Sequence, residues 1–341
     1  MRRLHTINLG RIHARRLPRG AALVAAAMLL PVAAQLCAQT YPVKPIRYIV
    51  PFAPAGTGDV CARFHAQKMQ ERMGQPVVIE NRAGANQAIG IEAAAKAPGD
   101  GYTVLQGALS GIVMNTIFAN VGGQKLPYDV QRDLTPVSMV CTSPLYLGVH
   151  VSVGAKTIKE VIAVAKAKPG KLTYSSNGVG GTQHLAVALF AHRMGLNMVH
   201  VPYKSGAQST TDVVTGVIDM LFGGSLLLPH ARAGKVHIVA VGHLKRAGAT
   251  PDVPTMHEQG VTGFDVISWF ALMAPTATPK AIIDRLHRET EAILRPGAAR
   301  DGIAKNDVEL IASTPAELGE RIRGDFQVWE KTIRETGIKL E

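Results

Sequence analysis

The chain has 341 residues, with 37 basic against 25 acidic side chains, a formal charge of +12 and a 47% hydrophobic composition. Six of the basic residues, all arginine, lie in residues 1–38, which hold no acid; the remainder stands near +6, with scattered Lys and Arg, and this argues against a nucleic-acid partner. The length exceeds what one core usually supports, so two domains are expected; twelve dispersed histidines and three cysteines, with no Cys-x-x-Cys or His-x-x-x-His, point to no metal and no cofactor.

Taken in chain order, Arg2, Arg3, Arg11, Arg15, Arg16 and Arg19 precede a 14-residue apolar run, Ala21 to Ala34, broken only by Pro31. Such a run is too short for a bilayer and suits a signal-peptide core, with cleavage near Ala34 or Ala38. The flanks of Arg15-Arg16 fit a twin-arginine signal poorly. Leu36 before Cys37 likewise fits a lipidation site poorly. Export of a soluble protein is the expectation, since no later apolar run approaches ~18 residues.

Residues 46–64 then read as a strand, a small-residue loop and a helix start. Ile46, Tyr48 and Val50 lie in a short apolar run, and Pro51 and Pro54 end it because proline gives the ladder no donor. Ala55, Gly56, Thr57 and Gly58 let the backbone turn with its N–H groups free. Asp59 is expected to cap the following helix, which carries Ala62, Ala66, Met69 and Met73 and stops at Gly74. Further strands are expected at 77–80, 102–106, 137–141, 145–151, 172–175, 198–201, 217–222 and 236–241. Capping boxes stand at Thr157/Glu160, Thr255/Glu258 and Thr314/Glu317. Thr278 before Pro279 reads as another N-cap, opening a helix with Ile282, Ile283, Leu286 and Ile293. Leu318, Ile322, Phe326, Trp329 and Ile333 form one apolar face of the last helix, which makes Trp329 a core residue. The whole reads as α/β with mainly parallel strands. Two long extended stretches, Val137 to Val151 (broken at Thr142-Ser143-Pro144) and Phe264 to Pro275, are candidate crossings between domains.

The second informative loop runs from Ser175 to His184, between a strand and a helix, with Gly178, Gly180 and Gly181 in it. Gly178-x-Gly180 begins like a dinucleotide fingerprint, but residue 183 is Gln and the ribose-binding acid is missing, so that site is rejected. No phosphate loop ending in Gly-Lys-Ser/Thr exists. Gly223-Gly224-Ser225-Leu226-Leu227 lacks the second glycine of a nucleophile elbow. What remains is a cradle of backbone N–H groups and hydroxyls at a helix N-terminus, which favours a carboxylate without a cationic side chain. A serine hydrolase remains open on composition, though backbone donors without a clustered acid–base pair suit reversible capture better. A ligand sensor that presents its closed form to a membrane kinase is a further alternative. Cys61 and Cys141 both sit among apolar residues and read as buried thiols, although export would permit a bridge.

The stretch Tyr41 to Arg63 resembles the opening of the mature Bug proteins, the extracytoplasmic solute receptors of tripartite tricarboxylate transporters. The resemblance continues in Glu80-Asn-Arg-Ala-Gly-Ala85, Asp100-Gly-Tyr-Thr-Val-Leu105, Tyr174 to Leu185 and His200-Val-Pro-Tyr-Lys204. It runs on through Pro251-Asp-Val-Pro-Thr255, Trp269, Ala274-Pro275, Thr278-Pro279 and Trp329, in order along the chain. It implies a two-lobed periplasmic binding protein fold of the second structural type, with mainly parallel sheets and helices on both faces. One lobe would hold 40–141 plus 265–341 and the other 142–264, after a signal peptide at 1–38.

The same resemblance implies a monomer in the periplasm that holds a small organic acid between its lobes and meets two integral membrane transporter subunits transiently. By position, the ligand residues would be Ala55, Gly56, Thr57 and Asp59 in the first loop, and Ser175, Asn177, Gly178, Gly180 and Thr182 in the second. Ser110 would add a third loop, and Tyr203, Ser205 and Ala207 a fourth. Lys204 reads as a solvated side chain, His184 as a structural first-turn residue, and Asp212 and Asp219 as fold residues. The sequence departs from the family at Ala55, at Asn86-Gln87 and at Ser205, where glycine is usual. A Cβ at 55 is expected to demand a negative φ or to narrow the pocket.

Overall fold

In the computed structural model, residues 41–203, 205–295, 303 and 308–337 are described. The signal peptide with its cleavage points and Cys37, and the Lys204 reading, lie outside the described residues. From Lys44 onward the described chain forms one compact unit built on two sheets.

The chain begins β1 (Ile46–Val50), α1 (Thr57–Met73), β2 (Val77–Asn81), α2 (Ala88–Ala95) and β3 (Thr103–Ala108). It continues through a single π turn, Ser110–Met114, into α3 (Asn115–Val121), α4 (Val130–Asp133) and the long β4 (Leu134–Pro144). Then follow β5 (Tyr146–His150), α5 (Ile158–Ala167), β6 (Thr173–Ser176), α6 (Thr182–Met194), β7 (Val199–Pro202) and α7 (Gly206–Val214). The remainder is β8 (Met220–Gly223), α8 (Leu227–Arg232), β9 (Val236–Val241), β10 (Ile267–Pro275), α9 (Lys280–Leu294), β11 (Glu309–Leu310) and α10 (Pro315–Thr336).

The first sheet has the order β11-β4-β10-β3-β1-β2 and the second β7-β6-β8-β5-β9. Within the first, β1 pairs in parallel with β2 and β3, while β10 runs antiparallel between β3 and β4. In the second, β6 is parallel to β7 and β8, and β5 runs antiparallel between β8 and β9. The second sheet is therefore a set of co-directional strands with one reversed strand, β5, let into it, and the first has two, β10 and the short edge strand β11, which runs antiparallel to β4. Of these, β5 and β10 are the strands that follow passage from one sheet to the other. Leu145 alone separates β4 from β5, and residues 242–266 carry the chain back to β10. The expected break at Thr142-Ser143-Pro144 falls instead at Leu145, because those three residues still pair with Ile267, Ser268 and Trp269 on β10.

Local chemistry accounts for most boundaries. Reciprocal capping boxes close Thr157 with Glu160 and Thr314 with Glu317. Leu318, Ile322, Trp329 and Ile333 are buried, with Trp329 at 2% exposure, so the last helix packs on its expected face. Three expectations need correction. Thr278 does not cap α9; Pro279 stands at the N-cap and the Thr278 hydroxyl is buried without a partner. The strand expected at 217–222 starts at Met220, because Val217 and Ile218 both donate to the Asp212 carbonyl and close α7 over Gly216 at φ +79°. Finally, Cys61 and Cys141 are not free thiols but a disulfide, Cα atoms 6.7 Å apart, which ties α1 to β4.

Candidate functional site

A cavity of about 600 Å³ opens between the two sheets, lined by loops from both and by the crossing strands. Among the described residues no lysine, arginine, histidine, aspartate or glutamate lines it. Its polarity comes from backbone groups, hydroxyls and amides.

The first wall is the β1–α1 loop, from Pro51 to Gly58. Ala55 sits in the left-handed region at φ +68°, so the extra methyl does not force a negative φ as expected. Its N–H donates to Asp59 Oδ2 at 2.9 Å, and this bond pins the unusual turn. Asp59 is not the N-cap. That position is Gly56, and no side chain caps the helix. Asp59 lies instead behind the loop at 1% exposure, where its oxygens also accept from Asn81 Nδ2 (2.8 Å) and Arg63 Nε (2.7 Å). Burial acts to raise its pKa, but the hydrogen bonds from Arg63, Asn81 and Ala55 outweigh it and hold the carboxyl below its ordinary value. Asn81 in turn donates to the Phe52 carbonyl at 3.0 Å. The loop is thus braced from behind while the first-turn N–H groups of α1 are left for the cavity.

The opposite wall is the glycine-rich loop after β6. Asn177, Gly178, Gly181, Thr182 and Gln183 line the cavity there. Gly181 is the N-cap of α6 and, as in α1, no side chain caps the helix. Ser205, Gly206, Ala207 and Thr210 bring in the start of α7, whose N-cap Ser205 accepts from Gln208 N–H at 3.2 Å. Uncapped N-termini of two long helices, one from each sheet, therefore meet one volume, and an anion is the species that such ends stabilise.

Nine of the expected residues, Ala55, Gly56, Thr57, Ser110, Asn177, Gly178, Thr182, Ser205 and Ala207, come together around the cavity. Four lie outside its lining. Asp59 is the brace just described. Ser175 is fully buried and accepts from Ser209 Oγ at 2.8 Å. Gly180 is held at φ +76° with its N–H on His184. Tyr203 donates its hydroxyl to Asp212 at 2.6 Å; burial and that carboxylate push its pKa up to about 12.

The cavity also contains residues that sequence reasoning did not assign to the ligand site: Ser143, Ser268, Trp269 and Phe270 on the crossing strands, and Gly224 to Leu226. A signal for the first four existed, since strands that pass from one sheet to the other must pass the space between them. Gln87 is a further such residue, although its departure from glycine was visible. It follows Ala85 and Asn86 in three consecutive left-handed positions (φ +44°, +48° and +76°), and its Nε2 donates to Ser110 Oγ.

Residues 61–338 match the family described as "Tripartite tricarboxylate transporter family receptor". Protein BugT of Bordetella pertussis is 36% identical over 311 residues, covering 91% of this chain and 94% of its own. Among solved structures, R. palustris Rpa4515 with adipate superposes with a TM-score of 0.80 at 29% identity, covering 88% of this chain and 99% of that one. MatC from Rhodopseudomonas palustris with bound malate gives a TM-score of 0.75 at 26% identity, covering 86% and 100%.

Proposed function

The chain belongs to the tripartite tricarboxylate transporter receptor family, and from that premise we propose that it is a periplasmic receptor for a small carboxylate. In this reading the two sheets are the cores of two lobes, 40–141 plus 265–341 and 142–264. The acid is captured between them and released to membrane subunits of a transporter, with the protein acting as a monomer and without chemistry on the ligand. One observation carries the reading: the uncapped starts of α1 and α6 line one cavity, and no charged side chain among the described residues joins them there. Backbone N–H groups and helix dipoles then supply the complement to a carboxylate. The adipate and malate held by the two structural relatives are of that chemical class. Capture rather than hydrolysis fits the placement of the serines: Ser176, which lies 2.8 Å from His200, gives its hydroxyl hydrogen to the Gly178 carbonyl and stands outside the cavity lining.

Thermal melts with a panel of mono- and dicarboxylates and their methyl esters test this. Binding to the folded state alone adds about 2.7 kcal/mol at ~100 Kd. An acid is expected to raise Tm and its ester to raise it less. A panel in which the esters match or exceed the acids overturns the carboxylate reading, and turnover of any acid overturns the receptor reading.

A further inference from the structure

Two histidines that do not line the cavity are fastened to the loop that does. His184, in the first turn of α6, and His200, on β7, stack with ring centroids 3.9 Å apart and planes 9° apart. Tyr174 of β6 stacks in turn on His200 at 4.9 Å. Each imidazole holds a different part of the loop. The Gly180 N–H donates to His184 Nδ1 at 3.0 Å. A backbone N–H can only donate, so Nδ1 carries the lone pair and the ring proton of His184 sits on Nε2. Ser176 Oγ lies 2.8 Å from His200 Nε2 and gives its hydrogen to the Gly178 carbonyl at 2.9 Å. With the hydroxyl hydrogen assigned to that carbonyl, the oxygen accepts from the ring, and this assignment puts the His200 proton on Nε2. The same Ser176 Oγ takes the Gly178 N–H at 3.2 Å.

The loop needs such fastening. Gly178 at φ +128° and Gly180 at φ +76° occupy conformations that glycine adopts freely, and glycine has no side chain with which to hold them. Left alone, a segment of this composition samples many shapes, and a ligand that selects one of them binds more weakly for it.

We infer that His184 and His200 act as one stacked pair of positioning residues, each in its Nε2–H form, that sets the glycine-rich loop in the shape in which it meets the ligand. This rests on the reading of the cavity as the ligand site.

The test compares ring with hydrogen bond. His184→Phe and His200→Phe keep an aromatic ring and lose the acceptor or donor. His184→Asn returns an acceptor near the place of Nδ1, and His200→Gln returns a donor near the place of Nε2. In calorimetric titrations with adipate or malate, each Phe variant is expected to raise Kd roughly three- to ten-fold, the effect of one lost neutral hydrogen bond. The Asn and Gln variants are expected to recover most of it. Backbone amide exchange at Gly180 should quicken in His184→Phe and slow again in His184→Asn. Wild-type affinity and exchange in the Phe variants overturn the inference, as does equal damage from Phe and Asn at 184. Should His184→Phe not fold, nitrogen-15 spectra of the wild-type imidazoles decide: a His184 proton on Nδ1 overturns the inference and one on Nε2 upholds it. If the wild type takes up neither acid, the choice of acid is what fails, the titrations pass to the carboxylate that most raises Tm, and the exchange and tautomer measurements still judge this inference.

Discussion

Asp59→Ala should damage the cavity from behind. Ala55 at φ +68° is in a conformation that costs a side-chain-bearing residue about 1–2 kcal/mol, and its N–H bond to Asp59 offsets that cost. Removing the carboxylate leaves the Ala55 N–H without this acceptor and takes one of the two acceptors of Asn81 Nδ2, which keeps its bond to the Phe52 carbonyl. Hydrogen bonds to a charged acceptor contribute about 1.5–3 kcal/mol each, so two of them give about 3–6 kcal/mol. Arg63 is half-exposed and adds at most about 1 kcal/mol more. Urea denaturation should therefore show a loss near 4 kcal/mol, with Tm lower by roughly 10 °C. Freed from its pin, the loop leaves the left-handed region, and Kd for whichever carboxylate stabilises the wild type should rise about ten-fold, equivalent to ~1.4 kcal/mol. The decisive comparison is Asp59→Ala with and without Ala55→Gly. Glycine takes φ +68° at no steric cost, so the double variant should regain part of the affinity while most of the stability loss remains. A double variant that binds no better than Asp59→Ala would refute the argument that the carboxylate works through residue 55.

Replacing Cys61 and Cys141 by serine should cost about 4 kcal/mol, since the bridge closes a separation of 80 residues; urea midpoints within error of wild type would contradict this. Burial depresses His65 to about 3 and His200 to about 4, and burial with the neighbouring His200 takes His184 to about 3, against roughly 6.5 in the unfolded chain. The unfolded state then binds more protons below pH ~6.5, so this stability is complete above that pH and falls as acid is added, by up to ~1.4 kcal/mol per pH unit for each histidine. Denaturation midpoints should be level from pH 7 to 8 and lower at pH 5; a midpoint that rises on acidification would contradict the buried neutral rings.

What the sequence made legible was local. The apolar spacing from Leu318 to Ile333 and the capping boxes at Thr157 and Thr314 depend on residues three or four apart, and those elements formed where the spacing put them. The two loops at the cavity were visible because small residues between a strand and a helix leave backbone N–H groups free. The rest depends on partners far along the chain. Cys61 finds Cys141 only once α1 packs on β4. Asp59 looks like a cap until Asn81, brought alongside by the β1–β2 pairing, turns it inward. Trp269 matched the family, yet its place at the cavity follows from the register of β10 against β4, which no short window records.

A crystal structure with the carboxylate that most raises Tm would test the central claim most directly. The account predicts one carboxylate between the sheets, accepting from first-turn N–H groups of α1 near Thr57 and of α6 near Thr182, with no lysine or arginine in contact. An acid found on a basic side chain away from this cavity, with the cavity free of it, would contradict the account.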